Sequence, residues 1–207
     1  MARTSTKAAP KPVESTVEPI AETPEVKPAA KKQAVKVAKF SKVSYEQFVK
    51  DMTANGLVFD ESFLRQVYDE IKLPTRATKG SAGYDICTPI AFDLRNLNAD
   101  PHGFTFPTGL RCEMNNSYVM LIIPKSGLGF KHYSRLGNTV GCVDADYFVS
   151  DNEGDIMVNI RSDVPCNAPV HIEAGKAVCQ ALFMPYGVTD DDNTDGVRNG
   201  GFGSTGA

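Results

Sequence analysis

The sequence predicts an all-β domain of the sandwich or jelly-roll kind, and three observations carry that reading. From Leu73 onward, short apolar runs alternate with Gly, Pro, Asn and Asp punctuation. No helix-length periodic segment separates those runs, which excludes the alternating strand–helix pattern of a parallel sheet. The 207 residues suffice for one ordinary domain plus extensions.

Each segment has its own signal. Residues 84–94, 104–114, 118–124, 139–143, 156–160, 168–172 and 177–186 are apolar, rich in aliphatic and aromatic residues, and bounded by turn residues, so they read as strands. Residues 1–42 are mostly Ala, Pro, Lys, Glu, Thr and Val; they cannot bury enough apolar surface to offset ordering and are expected to be disordered. Four glutamates there (Glu14, Glu18, Glu22, Glu25) argue against a transit peptide. Residues 43–72 form a helical extension. Ser44 caps a first helix with Tyr45, Phe48 and Met52 on one face, and Gly56 breaks it. Asp60 caps a second helix with Phe63, Leu64, Val67, Tyr68 and Ile71, stopped by Pro74. This hairpin either packs on the β domain or binds a protein partner. The β domain spans 73–188, and 189–207 form a flexible arm.

Composition bounds function. The tail 1–42 carries nine Lys/Arg and four Glu, a net of +5, and the remainder a net of −8. An acidic body argues against a nucleic-acid groove. Five cysteines (Cys87, Cys112, Cys142, Cys166, Cys179) are widely spaced without a C-x-x-C pair and suit reduced thiols in the cytoplasm. His102, His132 and His171 are too scattered for zinc. No run of 18 apolar residues and no signal peptide occurs, so no membrane association is expected.

Five segments carry residues that a plain sandwich would not choose. In Ala82-Gly83-Tyr84-Asp85-Ile86, a carboxylate opens an apolar strand and needs a cation or solvent. Pro124-Lys125-Ser126-Gly127-Leu128-Gly129 offers a charge and N–H donors suited to a phosphate, or is an ordinary turn. In Gly137-Asn138-Thr139-Val140-Gly141-Cys142-Val143-Asp144-Ala145-Asp146-Tyr147, Asn138 has both the donor and the acceptor that a base edge requires. If that segment is extended, Asp144 and Asp146 project to one side and Tyr147 to the other. Gln180 is a polar residue inside the apolar strand that follows Gly175-Lys176 and must find a partner if buried. Finally, Gly200-Gly201-Phe202-Gly203-Ser204-Thr205-Gly206 has little to bury but suits a flap over a nucleotide, with bare N–H groups and hydroxyls for phosphates and one Phe for a base.

These five segments, in this order, resemble the five motifs of the trimeric dUTP diphosphatases over about residues 73–206. The resemblance implies a jelly-roll-like barrel in a homotrimer with shared active sites, hydrolysing dUTP to dUMP and pyrophosphate. That reaction limits uracil in DNA and supplies dUMP for dTMP synthesis. The cofactor it implies is Mg²⁺ on the triphosphate, held through water by Asp85. It assigns Lys125 (usually arginine in the family), Ser126, Gly127 and Gln180 to the phosphates. Asn138 and the backbone at Gly141 and Val143 fall to uracil, Tyr147 to the deoxyribose and Asp144 to the attacking water. Phe202 and Gly203 would cover the base, and Ser204 and Thr205 would meet the outer phosphates.

Besides lysine at 125, two departures stand out. Residues 148–153 intervene after Tyr147 as a lengthened hairpin tip, which tunes the pocket or contacts a partner. Arg198 lies one position nearer Gly200-Gly201-Phe202 than the family's arginine, leaving open whether it reaches phosphate or stays solvated. The run Asp190-Asp191-Asp192 is read as a solvated linker rather than a metal site. The basic tail and appended helices exceed a minimal form and suit a viral version acting in host cytoplasm. Two rivals remain: a dCTP deaminase of the same fold, and a regulatory protein that binds dUTP without turning it over.

Overall fold

The computed structural model describes residues 35–94, 102–163, 169–198 and 200. Elements follow in chain order. Strand β1 (Ala38–Lys42) precedes helices α1 (Tyr45–Ala54) and α2 (Glu61–Glu70). Then come β2 (Thr75–Arg76), β3 (Tyr84–Cys87), β4 (Phe92–Leu94), β5 (Phe104–Pro107), β6 (Leu110–Met114) and β7 (Tyr118–Pro124). Helix α3 (Ser126–His132), β8 (Ser134–Leu136), β9 (Gly141–Val143) and a 3₁₀ turn (Ala145–Val149) follow. The last strands are β10 (Met157–Ser162), β11 (Val170–Ile172) and β12 (Ala177–Pro185).

Every ladder among the described residues is antiparallel. The largest sheet runs β2-β3-β12-β7-β9, a second runs β5-β10-β8, and β1-β6 and β11-β4 are pairs. Alternation sorts the faces. In β10, Val158, Ile160 and Ser162 are buried, while Asn159 and Arg161 point the other way. Ile86, Phe106, Met120, Ile160 and Val178 anchor a core with no exposed surface. Buried Cys112 and Cys179 belong to it, and burial pushes both thiols up to about 12, so they serve as packing groups.

Four sequence expectations need correction. The tail does not run to Lys42, because Ala38–Lys42 pairs with β6, and Phe40 packs between Tyr84 and Phe183 with ring centroids 5.8 Å from each. Residues 104–114 form two strands, not one. The chain turns at Gly109, whose φ of +67 is left-handed, so β5 pairs with β10 while β6 pairs with β1. Likewise 84–94 divides into β3 and β4, which pair with β12 and β11. The turn after Pro124 continues as α3, closed by Tyr133 in the left-handed conformation. No helix among the described residues is long and apolar enough to cross a membrane.

The helical extension lies on the barrel. Val43, Phe48, Met52, Leu64, Val67 and Ile90 form its own buried cluster, and Leu57, Ile71 and Phe104 pack against both this cluster and the main core. Asp60 caps α2, accepting from Phe63 N–H at 2.9 Å, and the hydrogen bonds from Ser62 and Phe63 hold its carboxyl below the usual range. Ser44 caps α1, accepting from Gln47 N–H at 3.1 Å.

Candidate active site

Two groups of polar side chains stand at the ends of these strands. The first sits where β3, β12 and β7 meet. Register places Gln180 directly between Asp85 on β3 and Ile123 on β7. Lys125 enters α3 there, its N–H bonded to Val178 O at 3.0 Å and its Nζ donating to Asp85 Oδ1 at 2.7 Å. Both side chains of this ion pair are more than a quarter exposed, so it adds at most about 1 kcal/mol to stability. Gly83 is required by Gln180: a Cβ at Gly83 would lie 2.1 Å from Gln180 Oε1. Ser126 and Gly127 open α3 beside Lys125, and a Cβ at Gly127 would meet open space.

The second group is built on the β8–β9 hairpin. Its tip is tight: Thr139 N–H bonds to Leu136 O at 3.0 Å and Val140 N–H to Asn138 O at 2.7 Å. Thr139 adopts φ 68, a strained conformation for a β-branched residue, costing about 1–3 kcal/mol. Below the tip lies a pocket of about 320 Å³ lined by Asn138, Gly137, Gly141, Asn159 and Arg161 among others. Asn159 holds its floor, with Nδ2 donating to His102 O at 2.9 Å and Thr105 Oγ1 at 2.7 Å. A Cβ at Gly137 would come 2.1 Å from Asn159 Oδ1, and one at Gly141 would come 3.1 Å from Ile122 Cβ. Both glycines let backbone form the pocket wall.

After Val143, which pairs with Met120, the chain winds into the 3₁₀ turn instead of staying extended. Asp144 and Asp146 nevertheless share one partner: Arg198 donates from Nη2 to Asp144 Oδ2 and from Nε to Asp146 Oδ1, the latter at 2.8 Å. Arg198 is therefore not a solvated arginine; its side chain is only 18 % exposed against 50 % for Asp144. Tyr147 is buried, which pushes its phenol up, and its hydroxyl donates to Asp155 O at 2.8 Å. Phe202, Gly203, Ser204 and Thr205 lie outside the described residues.

Sequence reasoning overlooked Asn159 and Arg161. The signal that singled out Gln180, a polar residue in an apolar strand, was present at Asn159 as well. Among the described residues no three His, Cys, Asp or Glu side chains gather around one point. Asp85 is a single hard carboxylate beside a cationic side chain. That fits an ion carried mainly by phosphate oxygens, as Mg²⁺ usually is, rather than an all-protein cage.

The dUTPase family model matches residues 69–206, two-thirds of the chain. The chain belongs to the dUTPase family. Two relatives named deoxyuridine 5′-triphosphate nucleotidohydrolase are similar to it: that of Lactococcus lactis is 37% identical, covering 66% of this chain and 89% of its own. That of Tolumonas auensis is 35% identical, covering 68% and 91%. The crystal structure of dUTPase from Streptococcus mutans superposes with a TM-score of 0.51 at 26% identity, over 73% of this chain and 98% of that one. As a dUTPase the chain is extended at its N-terminal side, since the match begins at Asp69, near the end of α2, and leaves β1 and α1 outside.

Proposed function

We propose that this chain hydrolyses dUTP to dUMP and pyrophosphate, with Asp144 as the general base. The observation that carries the reading is the β8–β9 hairpin. It joins a base-sized pocket under Asn138 to a carboxylate six residues further on, at the mouth of the 3₁₀ turn. Asn138 and the backbone at Gly141 and Val143 read uracil. A hairpin that donates to O4 and accepts from N3–H leaves groups unpaired against cytosine, and its tight wall excludes the methyl group of thymine. Tyr147 lies under the deoxyribose and leaves no room for a 2′-hydroxyl.

Water is a weak nucleophile and needs a positioned base. Asp144 takes its proton as the water oxygen bonds to the α-phosphorus. The bond from that phosphorus to the α,β-bridging oxygen breaks, and the electron pair leaves with pyrophosphate. Lys125, Ser126, the Gly127 N–H and Gln180 orient and offset the phosphate charge. Asp85 would hold Mg²⁺ through water; that ion supplies charge neutralisation on the triphosphate. Arg198 bonds Asp144 and Asp146 directly and holds them in place until Phe202, Gly203, Ser204 and Thr205 close over the nucleotide and exclude water.

Sites shared between copies in a homotrimer are what the resemblance to the dUTPase family implies for these two groups. Free Cys87, Cys112, Cys142 and Cys179 suit a cytoplasmic enzyme that supplies dUMP and keeps uracil out of DNA.

The test is pyrophosphate release from dUTP against dCTP, dTTP and UTP, with and without Mg²⁺. The expected result is Mg²⁺-dependent turnover of dUTP alone, lost in Asp144→Asn by a factor of at least about 10². Ammonia release from dCTP would instead favour a deaminase, and dUTP binding without turnover a regulatory protein.

A further inference from the structure

The insertion at 148–153 is fastened to the helical extension of the same chain, and it ends on the tyrosine of the site. Glu153 makes the fastening, and Arg111 of β6 and the buried Asp155 brace the segment on either side. The Glu153 carboxylate accepts from Ser44 N–H at 2.8 Å and Ser44 Oγ–H at 2.6 Å, so the insertion caps α1 from outside. Those two bonds hold the Glu153 carboxyl below the usual range. Arg111 Nη2 donates to Phe148 O at 2.6 Å, and its guanidinium lies 3.7 Å from the Phe148 ring centre. Asp155 is fully buried; its Oδ1 accepts from Gly109 N–H at 2.9 Å, and the Asp51 carboxylate of α1 lies close enough to help push its carboxyl above the usual range.

What this frame holds is the Tyr147 hydroxyl. It donates to Asp155 O at 2.8 Å and accepts from Asn152 Nδ2 at 2.9 Å. Asn152 is itself fixed. Its Nδ2 reaches Asp155 O at 3.1 Å, its Oδ1 accepts from Ser150 Oγ at 2.8 Å and Gly154 N–H at 3.2 Å, and its carbonyl accepts from Asp155 N–H. A ring tethered at its Cβ and at both valences of its hydroxyl cannot rock. Displacements near 1 Å are enough to change what a site accepts.

We propose that Asn152 is a positioning residue for sugar discrimination. It locks Tyr147 against the 2′-hydroxyl, and α1 of the N-terminal extension acts on the site by clamping the insertion that carries Asn152. This rests on the assignment of Tyr147 to the deoxyribose. The sequence places the lock outside the matched family span at one end, at Ser44 and Asp51, and inside it at the other.

The experiment measures kcat/KM for dUTP and UTP in wild type, Asn152→Ala, Tyr147→Phe and the double variant, with melting temperatures alongside. The expected result is a loss of about tenfold in the dUTP:UTP preference for Asn152→Ala, a loss at least as large for Tyr147→Phe, and no further loss in the double variant, since the bond between Asn152 and Tyr147 is lost in each. Ser150→Ala, a milder cut that removes one of the two donors to Asn152 Oδ1, shifts the preference the same way and serves if Asn152→Ala does not fold. An unchanged preference in a folded Asn152→Ala or Ser150→Ala, with Tyr147→Phe relaxed, overturns the positioning role. A wild type that ignores dUTP, or that turns over UTP equally, overturns the underlying functional reading instead.

Discussion

The pairing of Asp51 with Asp155 leads to a prediction whose sign is set by burial. Asp51 Oδ1 accepts from Gln47 Nε2 at 2.9 Å, and Asp155 Oδ1 accepts from Gly109 N–H at 2.9 Å. The two remaining oxygens, Asp51 Oδ2 and Asp155 Oδ2, are buried and have no other donor among the described residues. Carboxylates only accept, so neither of these two oxygens has a donor unless Asp155 carries a proton. Burial, then the neighbouring Asp51, push the Asp155 carboxyl well above the usual range, while the N–H groups of Gly109 and Leu110 pull against this. A folded state that holds the proton more tightly than the unfolded chain is stabilised below the ordinary carboxylate value, near about 4. That stability is lost as pH rises through the raised value.

Asp51→Asn should remove this loss. Gln47 Nε2 can still donate to the amide oxygen, which turns the amide NH₂ toward Asp155 Oδ2 and supplies a donor at every pH. Replacing an unsatisfied buried pair with a charge-assisted bond is worth about 1–3 kcal/mol. Each kcal/mol corresponds to about 2–4 °C in a chain of this size. Melting curves of both proteins between pH 5 and pH 9 make the assay. The variant should match wild type near pH 5 and exceed it increasingly toward pH 9, with a flatter slope. Parallel curves, or a variant less stable than wild type at pH 9, would refute the proton held on Asp155.

Two further predictions follow from packing and capping. Gly83→Ala places a Cβ where Gln180 Oε1 lies, 2.1 Å away, and must displace that amide; dUTP turnover should fall by about 10- to 100-fold, read as kcat/KM, with the melting temperature changing less than the activity. Ser44→Ala removes the α1 cap and the hydroxyl hydrogen bond to Glu153 while keeping the backbone one; it should lower stability by about 1–2 kcal/mol, seen as a drop of several degrees in thermal melting.

The helical extension was legible because its signals are local. Ser44 and Asp60 cap the helices that their sequence contexts predict, and the apolar spacing of Phe48 and Met52, and of Leu64 and Val67, matches the buried faces. Residues 118–124 read as a strand for a similar reason: the apolar run ends where β7 ends, at Pro124. The same local logic failed at residues 104–114, where an apolar run conceals a change of sheet at Gly109, and at Ala38–Lys42, whose strand exists because β6 and the Phe40, Tyr84 and Phe183 rings receive it. Propensity does not register a partner that is about 70 residues away in the chain.

The site divides along the same line. Residue chemistry and order alone singled out the side chains that offer charge and hydrogen bonds: Asp85, Lys125, Asn138, Asp144, Tyr147 and Gln180 are all chemically unusual at their positions. Only the tertiary structure decided who meets whom. It joined Lys125 to Asp85, drew Asp144 and Asp146 onto Arg198, placed Asn159 beneath Gly137, and turned the 148–153 insertion onto Ser44 rather than outward. The reason is physical. Periodicity and capping act within a few residues, whereas ion pairs, buried hydrogen bonds and glycine-permitted close approaches depend on strand register and on segments brought together from as far as 109 positions apart.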